Sequence, residues 1–149
     1  MTLKQQIHNQ YLQLVQDKID VFQDMILALT EDSKNDAKGS AGDKHETTLS
    51  MMHIEQEKIT RKLKESLEQK VILDKIDPSQ ITSKVALGSL VRTNTLIVYI
   101  ATALPKIAIG NQNIFAISPQ SPLGSQLMGN QIGFSFEVNN SKFTIENIE

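Results

Sequence analysis

Two carboxylates three residues apart, Asp43 and Glu46, stand in the small-residue stretch Gly39-Ser40-Ala41-Gly42-Asp43-Lys44-His45-Glu46. Acids at i and i+3 near a helix start lie on one face, where they can present charge or a pair of metal ligands to something outside the chain. The same pair also fits an ordinary helix start, with Ser40 or Asp43 as the cap and Asp-x-x-Glu as a capping-box-like pattern. Farther along, Lys58, Arg61 and Lys62 recur at helical spacing, with Lys64 nearby. They suit salt-sensitive phosphate contact, or a solvated face paired with Glu57 and Glu65. Ser121-Pro122 has the residue types of a cap followed by a first helical position. His45 reads as an exposed neutral histidine, and His8 and His53 form no metal set with it. The chain has no cysteine, which excludes disulfides, thiolate metal sites and thiol nucleophiles. No glycine-rich phosphate loop, nucleophile elbow or zinc pattern occurs.

The elements that must position these residues show in the charge pattern. Residues 1–84 hold 12 Lys+Arg and 14 Asp+Glu, against 3 and 3 in residues 85–149. Pro78 is the sole proline of the first part, and Val, Ile, Phe and Thr cluster in short runs in the second. Ile7, Tyr11, Val15, Ile19, Phe22, Ile26 and Leu29 recur at steps of three and four, as do Leu49, Met52, Ile59, Leu63, Leu67 and Val71, with Gln56 as a polar interruption. Each set is one face of a long helix, and the economical way to bury both is to pair them. The periodicity therefore predicts an antiparallel two-helix coiled-coil hairpin over 1–76, with the acidic stretch at its turn and a linker at 77–84. An intramolecular hairpin removes the need for a partner helix, so a monomer is expected.

From residue 85 the period changes to that of strands. Val85–Arg92 and Thr95–Thr102 read as a pair, followed by Lys106–Ile109 and Asn113–Ile117 around Gly110-Asn111. Ser121–Met128 reads as a short helix ended by Gly129-Asn130, and Phe134–Val138 and Lys142–Ile148 as a hairpin across Asn139-Asn140-Ser141. The expected fold class is α+β, with a small antiparallel sheet and one short helix in 85–149, and Tyr99, Phe115, Phe134, Phe136 and Phe143 mostly in its core. The net charge of -2 argues against non-specific duplex binding. The N-terminal residues lack an apolar run of signal-peptide length, and no stretch approaches a membrane span, so a cytoplasmic location without membrane contact is expected.

Two segments carry a resemblance. Ile117-Ser118-Pro119-Gln120-Ser121-Pro122-Leu123-Gly124, continuing through Leu127-Met128-Gly129-Asn130-Gln131-Ile132-Gly133, resembles the C-terminal signature of the bacterial Gre transcript-cleavage (transcription elongation) factors. Gly42-Asp43-Lys44-His45-Glu46 is similar to the Gly-Asp-x-x-Glu at that family's coiled-coil tip. The order and separation of the two segments also agree. Where the family tip usually continues Asn-Ala-Glu-Tyr, this chain has Thr47-Thr48-Leu49-Ser50, and Phe134 stands where an acid is common.

The resemblance implies a factor that binds RNA polymerase through its secondary channel and stimulates the polymerase's intrinsic cleavage of backtracked RNA. Residues 85–149 would be an FKBP-like docking domain, with Ser121 and Pro122 against the polymerase. Asp43 and Glu46 would help hold a Mg²⁺ ion of the polymerase active centre and orient a water, with no ion bound by the isolated chain. Lys58, Arg61 and Lys62 would hold the extruded 3′ RNA. The chain itself would be no enzyme, and no specific DNA sequence would be read. The alternatives are a Gre-like channel regulator without cleavage activity and a coiled-coil interaction protein with no polymerase contact.

Overall fold

The computed structural model describes residues 1–39 and 43–149, with the side chains of residues 33 and 35–45 outside the description. Its order is α1 (Leu3–Gly39), α2 (Asp43–Asp74), β1 (Leu90–Thr93), β2 (Ile97–Ile100), β3 (Leu104–Ile109), β4 (Gln112–Ile117), α3 (Pro122–Leu127), β5 (Ser135–Val138) and β6 (Ser141–Ile148). Two long helices followed by a mostly antiparallel six-stranded sheet with one short helix make an α+β fold, as the charge and period shift predicts. Packing groups the chain into two compact units, Gln13–Lys70 and the combination of Met1–Leu12 with Val71–Glu149. These units cut across the expected segments 1–76, 77–84 and 85–149, because the ends of α1 and α2 belong with the sheet.

Within Gln13–Lys70 the helices pair in opposite directions. Gln56 Nε2 donates to Thr30 Oγ1 at 3.0 Å, whereas Lys18 and Phe22 line one groove with Lys62, Ser66 and Gln69. Val15, Ile19 and Ile59 are buried in this pairing. Gln56, the polar interruption in the apolar stripe, thus has a cross-helix partner. Thr30 in turn donates to the Ile26 carbonyl at 2.9 Å, so the polar layer is satisfied.

In the other unit the strand order is β3-β4-β2-β1-β6-β5. All neighbours are antiparallel except β2 and β4, which run parallel with Val98 beside Phe115 and Tyr99 beside Ala116. The expected antiparallel sheet has one parallel pair: the chain reverses after β2 into β3 and again into β4, so β4 runs in the direction of β2 and lies beside it. Alternation divides the side chains between two faces. Val91, Val98, Ile100, Ile145 and Ile148 join Val85 and Leu127 in one core cluster, with Leu123 and Met128 packed against it. Leu90, Tyr99, Ile114 and Ala116 fall on alternate positions and are also buried. On that side Tyr11 Oη donates to the Pro105 carbonyl at 2.9 Å, and its ring stacks on Tyr99.

The expected strand Val85–Arg92 is shorter than the pattern suggested, because residues 86–89 form a turn. Gly88 adopts φ +91°, and a Cβ there would meet Ile76 Cγ2 at 2.7 Å, so the backbone passes too close to Ile76, just beyond α2, for a side chain. Ser89 closes the turn, accepting from the Ala86 amide at 2.9 Å. The β5–β6 hairpin turns at Asn139 (φ 51°) and Asn140 (φ 67°), the left-handed pair that a two-residue hairpin requires. Of the aromatic residues expected in the core, Tyr99 is fully buried and Phe115 and Phe136 pack at the cluster's edge. Phe134 is instead 39 % exposed, because it precedes β5 and stacks at 5.8 Å on the outer side of Phe136, which in turn stacks on Phe143.

Candidate functional site

α2 begins at Asp43, so Glu46 lies in its first turn and is exposed. The Ser40–Gly42 turn, capping by Ser40 or Asp43, the Asp43 carboxylate and His45 lie outside the described residues. Along the chain, this helix start is at the opposite end of the Gln13–Lys70 unit from its connections at residues 13 and 70. With 1.5 Å of rise per residue, α1 from Gln13 to Gly39 extends about 40 Å. Asp24, Glu31 and Asp32 on α1 are likewise exposed. Among the described residues no group of three or more His, Asp or Glu side chains converges as a metal site.

Two of the basic residues of α2, Arg61 and Lys62, line different grooves. Lys58, Arg61 and Lys62 are all exposed. Arg61 lines an open groove of about 580 Å³ with His53, Gln56, Glu57 and Thr60. Lys62 faces a different groove, of about 300 Å³, with Lys18 and Phe22 of α1. Helical spacing groups the three cations, yet Arg61 and Lys62 line different grooves.

Ser121 and Pro122 take the positions their types predict. Ser121 is the N-cap of α3: its Oγ accepts from the Gly124 amide at 3.0 Å and donates to the Ser118 carbonyl at 2.8 Å, and Pro122 follows at the first position. Gly124 is required there because a Cβ would strike the Ser118 carbonyl oxygen. This turn borders a groove of about 350 Å³ between α3 and the β5–β6 hairpin, lined also by Ile117, Leu123, Val138 and Phe143. The groove is apolar with hydroxyl and amide groups at its edge, a surface suited to receiving part of a protein partner.

One polar cluster escaped the sequence reading. Lys4 and His8 are only 5 % and 4 % exposed, on the face of α1 that also buries Ile7 and Tyr11. Lys4 Nζ donates to the Gln80 carbonyl at 2.6 Å, and His8 Nδ1 lies 2.8 Å from Tyr99 Oη. Burial lowers the pKa of Lys4, against the opposing pull of Glu149 and Asp77. Burial likewise lowers that of His8. The Tyr11 phenol is pushed up to about 12 by burial, and that of Tyr99 is also raised. Asp77 is lowered by the hydroxyl and amide of Ser79. The available signal was the spacing itself, since positions 4, 7, 8 and 11 share one helical face.

Among the described residues no helix is long and apolar enough to cross a membrane. No protein-family model matches the chain, and no curated protein matches it.

Proposed function

We propose that the chain is a Gre-type transcription elongation factor, which binds RNA polymerase through its secondary channel and stimulates cleavage of backtracked RNA by the polymerase itself. The observation that carries the reading is the start of α2 at Asp43 with Glu46 exposed in its first turn, at the end of the helical pair away from residues 13 and 70. An exposed carboxylate at that end has no core to stabilise and is free to act on a partner. Its oxygens are of the type Mg²⁺ prefers, and two carboxylates leave most of an octahedral shell to other groups. The donor set therefore fits an ion shared with the polymerase, with none held by the isolated chain. When bound, such an ion stabilises charge on the attacking and leaving oxygens of a phosphodiester. In this reading Asp43 and Glu46 supply negative charge and orient a water, and Lys58, Arg61 and Lys62 hold phosphates of the extruded 3′ RNA. Ser121 and Pro122 contact the polymerase beside the groove between α3 and the β5–β6 hairpin, in a docking domain of FKBP-like type. The chain is thus an accessory factor and not an enzyme, acting as a cytoplasmic monomer.

The test is RNA cleavage in a halted, backtracked complex of the cognate polymerase. Addition of the chain is expected to accelerate cleavage, and Asp43→Asn with Glu46→Gln to abolish the acceleration. If the double variant stimulates as well as the wild type, the proposed role of the acids is wrong. Thr47 and Thr48, following Glu46 in place of the family's asparagine and alanine, favour a second reading, a channel regulator that binds without promoting cleavage. Exposed Val21, Met25, Leu27, Met51 and Ile54 favour a third, a coiled-coil interaction protein. Binding without cleavage selects the second, and failure to bind polymerase at low salt the third.

A further inference from the structure

The first three turns of α1 put two bases, Lys4 and His8, into a face that is otherwise apolar. Tyr99 is fully buried and its hydroxyl is hydrogen-bonded to His8 Nδ1. A buried phenol needs an acceptor for its proton, and this nitrogen serves only if it carries no proton of its own. With the phenol as donor, the imidazole is neutral and carries its proton on Nε2. We propose that the His8–Tyr99 contact is an acid-released latch that holds the first three turns of α1 against the sheet.

Protonation of Nδ1 sets two donors against each other. The phenol oxygen must then accept, and its own proton loses its acceptor in a buried site, which is costly. The new charge also lies one turn from Lys4 on the same helix face, and like charges at i and i+4 repel. Asp74 at the end of α2 and Asp77 in the turn after it favour the charged ring. Burial outweighs both and holds His8 below its ordinary value of 6.5. Glu149 acts on the neighbouring Lys4, and Tyr11 stacks on Tyr99 without adding charge at neutral pH. The docked state therefore binds fewer protons than the released state over a window that opens at about 6.5 and extends down to the depressed value. The latch is fully engaged above that window, and its opening constant rises by up to about tenfold per pH unit within it. This device is independent of any polymerase partner.

Amide hydrogen exchange on the full chain, corrected for intrinsic rates, tests it at about pH 7.5, 6.5 and 5.5. Protection of α1 amides at residues 6–12 is expected to fall up to about tenfold between the two lower values, beyond any change in β1 and β2. His8→Gln, which stays neutral, is expected to remove that additional fall. The His8 imidazole signals should titrate with a midpoint below 6.5, and Tyr99→Phe should raise it by deleting the donor to the neutral ring. A wild-type midpoint at or above that value, or an unchanged acid response in His8→Gln, overturns the proposal. If His8→Gln does not fold, the paired titrations of the wild type and Tyr99→Phe decide it.

Discussion

Single side chains that the sheet buries under α1 carry consequences that a stability measurement can read. Tyr11 Oη reaches the Pro105 carbonyl from a fully buried ring, so Tyr11→Phe is expected to cost about 1 kcal/mol in denaturant unfolding. Its pKa is raised to about 12, which means that the folded chain keeps a proton that the unfolded chain releases above about 10. The stability that Tyr11 contributes is therefore fully present below about 10 and is lost as the pH rises toward 12. Tyr99 acts in the same direction. Unfolding measured between about pH 9 and 11 should show this decline, shallower in Tyr11→Phe. At the start of α3, Ser121→Ala removes both the cap to Gly124 and the bond to Ser118, with an expected loss of about 1–2 kcal/mol.

Elements whose determinants are local could be read from sequence. Asn139-Asn140 specifies a tight hairpin, Ser121-Pro122 starts a helix, and Gly129 at φ +78° follows its end. The long apolar stripes likewise specify two helices that pair. What could not be read depends on residues far apart in the chain. Val85–Ser89 runs straight into the strand-forming Leu90–Thr93, but its path is set by Gly88 against Ile76, and the parallel β2–β4 register exists only once the chain has reversed through β3. Lys4 and His8 look like solvated positions until Gln80 and Tyr99 arrive beside them. For the candidate site, a second helix starting within the acidic stretch was legible, whereas its first residue and the separation of Arg61 and Lys62 onto different grooves were not. At this scale Ile59, 3 % exposed in the helical pair, is the most direct probe. Ile59→Ala should destabilise by about 2–5 kcal/mol, with amide protection lost chiefly across residues 13–70.

For the whole molecule, the two packing units divide the proposed work. The Gln13–Lys70 unit carries Glu46 and the exposed cations Lys58, Arg61 and Lys62, while the sheet unit carries the Ser121–Pro122 groove. Binding and cleavage stimulation should therefore separate by mutation. Loss of the acids is expected to leave polymerase affinity within about twofold, because the docking contact is assigned to the Ser121–Pro122 groove and single surface charges contribute little to affinity. Changes at the groove, such as Leu123→Asp, should weaken binding and lower stimulation in parallel. The most direct measurement is the rate of RNA cleavage in a backtracked complex of the cognate polymerase with saturating wild-type chain or with Asp43→Asn plus Glu46→Gln. Acceleration by the wild type and none by the double variant, despite retained binding, is expected. A bound wild-type chain that leaves the rate unchanged, or a double variant that accelerates it equally, would overturn the role proposed for Asp43 and Glu46.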